Sequence, residues 1–591
     1  MSMIDPHSYT DPDQGSLKHL ELDLAVDFRS KRLEGTASLH FRDASSGDLH
    51  LDTRDLVILD VSDADGAKLD WTLAEEAGFM GSKLTIHRAV TTDKIVIEYQ
   101  TSPEASALQW LEPQHTAGGT HPYLFSQCQP IHARSMAPLQ DSPRIRFSYD
   151  ARITVDEALT PVMSAAPGEK VTGTKAGAAS FHFTMPQPIP SYLLAIAVGR
   201  LESRDLGPRS RVYAEPEMLE AAAWEFADID KMLLAAEKLF GPYRWDRFDF
   251  IVMPPAFPYG GMENPRLTFL TPTLIAGDRS LVNVLAHELA HSWTGNLVTN
   301  ATMNDFWLNE GFTVWAERRI IEALEGEEAV ALAAAIGRHG LDQAIEHFGI
   351  DSPHTRLETD LSGLDPDEIY SLVPYEKGCL FVQLVEITVG REAMDTFLRD
   401  YMERFAFTSL TTAEFEEYFY AYFPKIRESI DTAAWIHGTG IPSDAPTFSS
   451  RTLEALSELA DGWSHGKRVS EEQGRAWSAD QWQIYLQKLP RPMNREDCLW
   501  LDRTFSLGES GNAEILCQWL IIAAASSYEP AFERLRTFLS SVGRMKYLKP
   551  LYTTLHKNAD TASLARKLFE EFSGNYHPIA RNGIASILAK N

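Results

Sequence analysis

Five residues constrain this chain more than any others: His287-Glu288-Leu289-Ala290-His291. They lie in a segment whose apolar positions, Leu281, Val284, Leu285 and Leu289, recur at helical spacing. The pattern predicts a helix from Leu281 to Trp293, with Asp278 or Ser280 capping its start and Gly295 ending it. Residues four apart share one helix face, so the two imidazoles can grip one cation. Glu288 projects beside them, where it can take a proton from water. A histidine pair merely satisfied by a glutamate is the bland alternative. A third donor weighs against it. After eighteen intervening residues comes Glu310, among Trp307, Leu308 and Phe312. That setting implies burial, and a buried unpaired carboxylate is costly, so a cation partner is expected. Asn304 is the predicted cap of the helix that carries Glu310 against the first. Two histidines, one glutamate and an open fourth position make a catalytic zinc set, one Zn2+ per chain. Glu317, two turns further on, either orients a ligand histidine or forms a surface salt bridge.

Around this pair of helices the hydrophobic period changes along the chain. Leu20, Leu22, Leu24, Val26 and Phe28 lie two apart, and Ile95, Ile97 and Tyr99 repeat the pattern. Period two broken by Gly, Asp and Ser clusters predicts half-buried antiparallel strands. Residues 1–201 therefore read as a β-sheet domain. Helical patterns such as Met218–Leu239 follow, and 202–436 reads as the α-rich catalytic domain. The stretch 437–450, rich in Gly, Pro, Ser and Thr, reads as a linker. Residues 451–591 read as stacked helices, an all-α superhelix. The fold class is thus multidomain α+β.

Composition removes several function classes. The net charge is −29, which repels phosphate backbones and anionic membranes. No nucleic acid, membrane or obligate protein partner is expected. The four cysteines, Cys128, Cys379, Cys498 and Cys517, have no disulfide-framework spacing. The polar, acidic start lacks a signal-peptide pattern, and the most apolar stretch, around Ile515–Ala525, is too short to span a bilayer. These features predict a cytoplasmic protein.

Further motifs carry a resemblance. Tyr259-Gly260-Gly261-Met262-Glu263-Asn264 stands upstream of the histidines. With the zinc pattern it resembles the gluzincin M1 metallopeptidase family, aminopeptidases with a G-x-M-E-N exopeptidase motif. HELAHSWTGNLVTN (287–300), FWLNEG (306–311), SQCQPI (126–131), VPYEKG (373–378) and GRMK (543–546) look like the leukotriene A4 hydrolase branch, bifunctional aminopeptidases and epoxide hydrolases. The resemblance touches all three regions. It implies a β-sheet saddle, a thermolysin-like zinc catalytic domain and an armadillo/HEAT-like helical domain.

The resemblance also implies roles. Glu263 would bind the substrate's α-ammonium as a charge-assisted pair, placing the first peptide bond at the metal. Gln129, Tyr259 and Met262 would line that end, and Gly260 and Gly261 would let a substrate strand approach the backbone. Tyr375 would donate to the oxyanion of the transition state. Arg544, assisted by Lys546, would take the terminal carboxylate of a short peptide. Asp367, before Tyr370, matches a channel residue that directs water onto a lipid epoxide. Taken singly, a Gly-Gly pair is a turn, a tyrosine is packing and Arg-Lys is a surface pair. The expected reaction is removal of the first residue from short peptides with a free N-terminus, with Glu288 shuttling the proton. Lipid epoxide hydrolysis is the alternative, although Pro130, Met303 and Ile369 stand where that branch's pattern has alanine, tryptophan and alanine. Endopeptidase action and a non-catalytic peptide-binding scaffold are further alternatives; Glu263 argues against the first and the intact ligand set against the second.

Overall fold

The structure, a computed structural model, describes residues 5–172, 177–281 and 283–589. The alternating segments at the start form strands as expected. An eight-stranded sheet runs in the order 166–172, 178–190, 146–156, 17–27, 32–53, 82–100 and 57–63, with 70–73 joined to 82–100. Leu20, Leu22 and Leu24 face the core at 0–3% exposure, as period two requires. The sheet departs from a purely antiparallel expectation in one place: Leu17–Asp27 pairs with Arg146–Asp156 in parallel. A second sheet orders Leu108–Leu111, Tyr123–Ser126, Ile196–Gly199 and Thr160–Met163.

A five-stranded sheet then runs 202–207, 210–214, 248–252, 268–270 and 261–262. Gly261–Met262 is its edge strand, antiparallel to Thr268–Leu270. The metal-motif helices follow as Asn283–Ala290 and Trp307–Glu325, packed against each other. The β-rich and catalytic regions share one continuous apolar core.

Several local expectations need correction. The 218–239 pattern is two helices, Pro216–Glu225 and Ile229–Phe240. The predicted helix 281–293 spans Asn283–Ala290, and its cap position lies outside the described residues. Asp278 instead accepts from Ser280 N at 2.9 Å, an Asx turn ahead of the helix. Asn304 does not cap its helix. Thr302 takes the local cap by accepting from Asn304 N, and Asn304 Oδ1 accepts from Leu361 N at 2.9 Å.

Residues 437–450 hold no helix or strand. Ser450 then caps the helix Arg451–Asp461. Helices 451–461, 479–488, 513–525, 545–557 and 578–589 pack each on the next, while 471–475 pairs with 495–505 and 532–541 with 562–572. Most of these helices thus pack on the next but one, around a second apolar core. Ala513–Ala525, the most apolar stretch, is buried in that core. Among the described residues no helix is long and apolar enough to cross a membrane.

Candidate active site and metal centre

The two motif helices bring three donors together. His287 Nε2 lies 3.1 Å from His291 Nε2, and Glu310 Oε2 lies 3.4 and 3.6 Å from them. Zinc bonds of about 2.0–2.1 Å in a tetrahedron set donors about 3.3–3.4 Å apart, so the triangle has the right size. Glu310 Oε2 is buried and has no hydrogen-bond partner. A lone pair left so in a protein interior is costly unless a cation takes it. The three residues therefore fit a zinc ion by spacing, donor type and unmet demand.

Both imidazoles are oriented from behind. His287 Nδ1 lies 2.9 Å from Glu317 Oε2, and His291 Nδ1 lies 3.1 Å from the Thr294 carbonyl. A proton on each Nδ1 donates to these oxygens and leaves both Nε2 lone pairs for the metal. Glu317 thus pairs with the candidate ligand His287 rather than with a surface cation. Gly295, at φ +116°, makes the turn that aims the Thr294 carbonyl. A Cβ there would lie 2.4 Å from Asn309 Oδ1 and 2.7 Å from His291 Nδ1. Thr313, invisible as a motif residue, braces the same turn: its hydroxyl lies 3.2 Å from His291 Nδ1 and 2.7 Å from Thr294 O.

Burial governs the acids. It pushes Glu288 well above the carboxylate range against the pull of His287, and Glu263, Glu310 and Glu317 push the same way. Burial likewise takes Glu263 up to about 7. Donor atoms of Glu263, Glu288 and His291 all lie within 4.8 Å of one another. Gln129 Nε2 donates to Glu263 Oε1 at 3.3 Å, and Asn296 Nδ2 donates to the Glu263 carbonyl at 2.7 Å. Met262 is packed beneath, with Gln127 Nε2 3.2 Å from its sulfur.

The glycine pair serves a purpose beyond the one read from the sequence. A Cβ on Gly261 would lie 2.3 Å from Glu288 Oε1, and one on Gly260 would lie 2.6 Å from an Arg544 terminal nitrogen. Bare backbone here makes room for the enzyme's own Glu288 and Arg544.

Tyr375 reaches the metal ligands by an unexpected device. Val373–Lys377 is a π-helical turn leading into the helix Gly378–Val389. A Cβ on Gly311 would lie 2.7 Å from Gly378 Cα, so two glycines let this turn press on the Glu310 helix. The Tyr375 ring stacks on His287 at 6.3 Å, and its hydroxyl lies 3.0 Å from that of Tyr370. Tyr259 packs against Tyr370 at 6.0 Å. Asp367 is tied to the β-rich region instead: His132 Nε2 lies 2.8 Å from its Oδ2. Arg544 is buried, whereas the Lys546 side chain is half-exposed and pairs with Glu514 at 2.7 Å. His132, Glu514 and Tyr547 stand in no recognised motif, and sequence reasoning missed them.

Comparison with known proteins fits this geometry. Leukotriene A-4 hydrolase of Xenopus laevis is 38% identical over 608 residues, covering 99% of this chain and 99% of that protein. The chain belongs to the M1 peptidase family. Three profiles divide this M1 peptidase between them: the M1 peptidase N-terminal domain at 8–193, the peptidase family M1 domain at 224–433, and the leukotriene A4 hydrolase C-terminal domain at 477–588. Leucine aminopeptidase 2 of Yarrowia lipolytica is 38% identical, covering 96% of this M1 peptidase and 90% of that protein. The solved structure of yeast LTA4 hydrolase in complex with bestatin superposes with a TM-score of 0.92 at 33% identity, covering 100% of this chain and 98% of that one. The M1 peptidase described here has the same three-domain architecture: β-rich, catalytic and helical.

Proposed function

We propose that this zinc aminopeptidase removes the first residue from short peptides with a free N-terminus. One observation carries the reading: the buried Glu263 carboxylate lies within 4.8 Å of the donor atoms of Glu288 and His291. An α-ammonium is the substrate group that satisfies such a carboxylate, and it brings the first peptide bond to the metal ligands.

His287, His291 and Glu310 would hold the zinc, one ion per chain. Bound there, it would supply a Lewis acid that polarises the scissile carbonyl and lowers the pKa of water. Glu288 takes the proton of the attacking water and passes it to the leaving amine. The Tyr375 hydroxyl donates to the oxyanion, where a donor is worth about 10²–10³ in rate. Gln129, Tyr259 and Met262 shape the amine end with Gly260 and Gly261. Arg544 takes the far carboxylate. The boundaries 201/202 and 436/451 divide the chain, with 437–450 as linker. The four cysteines are free and buried, which supports a reducing, cytoplasmic setting.

The test is a matched pair of tripeptides, one free and one N-acetylated. Release of the first residue from the free peptide alone supports Glu263 as the amine anchor. Equal cleavage of both removes that role. Hydrolysis of a lipid epoxide is the second reading. It is favoured by the Xenopus relative's name and by Asp367, held at its carboxylate by His132 and followed by Tyr370.

A further inference from the structure

Two cations, Arg544 and Lys546, share one buried carboxylate, Glu514, which neither a motif nor a family role had singled out. Glu514 is the second residue of the helix Ala513–Ala525. Asn512 caps that helix by accepting from Glu514 N at 3.0 Å, and its amide donates to Ser280 Oγ at 2.9 Å. Glu514 is thereby fixed against the loop that precedes the metal helix.

A single oxygen of Glu514 gathers the cluster. Its Oε1 accepts from Lys546 Nζ at 2.7 Å and from Tyr547 OH at 2.9 Å, and Arg544 Nη1 lies 3.5 Å away. Tyr547 OH accepts in turn from Arg544 Nη1 at 3.0 Å. One end of the guanidinium is therefore spent. The other is unpaired: Nε is buried with no hydrogen-bond partner, and this edge lies against the side-chain-free Gly260, where a Cβ would come within 2.6 Å of the second terminal nitrogen. A guanidinium binds a carboxylate through two parallel N–H groups, and the Nε edge still offers such a pair. Charge is consistent with geometry: Lys546 lies between Glu514 and the field of Asp480, whereas Arg544 meets Glu514 only at 3.5 Å and through Tyr547. A buried arginine with no counter-charge would be strongly destabilising, and Glu514 removes that problem before substrate arrives.

We propose that Glu514, through Tyr547, is the positioning residue that holds Arg544 with its Nε edge unpaired for the peptide carboxylate, and that Lys546 acts on Glu514 rather than on the substrate. The proposal rests on the reading of Arg544 as the carboxylate anchor. It departs from the expectation that Lys546 assists at the substrate itself.

The experiment measures kcat/KM for a tripeptide with a free carboxylate and for its C-terminal amide, and takes their ratio. A general loss of fold or chemistry lowers both and leaves the ratio. The wild type is expected to favour the carboxylate and Arg544→Ala to abolish the preference. Glu514→Ala should cut the ratio about tenfold, the scale of one charge-assisted hydrogen bond. Glu514→Gln, which keeps an acceptor oxygen, should retain most of it. Tyr547→Phe breaks the same link without opening a cavity, and should lower the ratio even where the alanine variant fails to fold. Lys546→Met added to Glu514→Ala should change nothing further. A wild-type ratio in both Glu514→Ala and Tyr547→Phe overturns the proposal alone. Multiplied losses in the double variant put Lys546 on the substrate and overturn its second half. No preference in the wild type overturns the reading of Arg544, and the proposal with it.

Discussion

Replacing Glu317 tests how the metal site is built. Among the described residues it is the side chain that meets His287 Nδ1 from behind, at 2.9 Å, and it is 17% exposed. His291 is oriented by a backbone carbonyl that no substitution removes. The two ligands therefore differ in vulnerability. A hydrogen bond to a charged group contributes about 1.5–3 kcal/mol, a factor of roughly 10–150, and loss of such orienting partners typically costs about 10–100-fold in metal affinity. Glu317→Ala should weaken zinc binding by about 10–100-fold. Glu317→Gln, with an oxygen that still accepts, should fall near the lower end. The assay is competition for zinc against a chelator of known affinity, followed by metal content and restoration of peptidase activity on adding zinc. Zinc affinity within twofold of wild type in Glu317→Ala would refute the argument, because the 2.9 Å contact would then contribute nothing to ligand orientation.

Other consequences are equally direct. Glu263→Gln should lower kcat/KM for free-amine tripeptides by about 10²–10³-fold, the scale of breaking a buried charge pair; an unchanged value would remove Glu263 from the amine end. Gly311→Ala places a methyl 2.7 Å from Gly378 Cα and should push the Tyr375 turn away, lowering kcat by about 10-fold or more with zinc content retained; steady-state kinetics beside metal analysis checks it. Lys377 is buried, its ammonium donating to the carbonyls of Thr355 and Gly438, and burial lowers its pKa to about 7 from 10.5. Between those values the unfolded chain binds more protons, so this group's contribution to stability rises with pH from about 7 to 10.5. Lys377→Met should flatten that part of the profile of Tm against pH.

What the sequence made legible follows from the range of the interactions. His287, His291 and Glu310 were readable because two helical repeats and one gap fix their faces. Glu263 was readable through a contiguous motif. Asn304 misled because a short 3-10 turn, Met303–Asp305, capped by Thr302, precedes the helix; that helix starts after Phe306 with no side-chain cap, and Asn304 holds Leu361 instead. The π-helical turn at Tyr375 depends on the meeting of Gly311 and Gly378, which no local pattern announces. Glu514 and His132 owe their partners to distant contacts: Glu514 meets Arg544 and Lys546 across 30 and 32 positions, and His132 meets Asp367 across 235. Neither has a periodic or motif signature, so only the folded chain reveals them.

The way the helical domain meets the catalytic sheet bears on how substrate length is measured. Met545 N donates to the Pro258 carbonyl at 2.8 Å, and a Cβ on Gly543 would lie 2.6 Å from the Ala256 backbone. Arg544, between them, is thus pegged to the segment that runs on through Gly260 to Glu263. On the proposed reading, both ends of the peptide would be gauged from one stretch of backbone, like two marks on one rule. Drift of the helical domain as a body would break that peg before it altered the interval. Length selectivity should therefore be indifferent to the 437–450 connection and sensitive to residues 256–263.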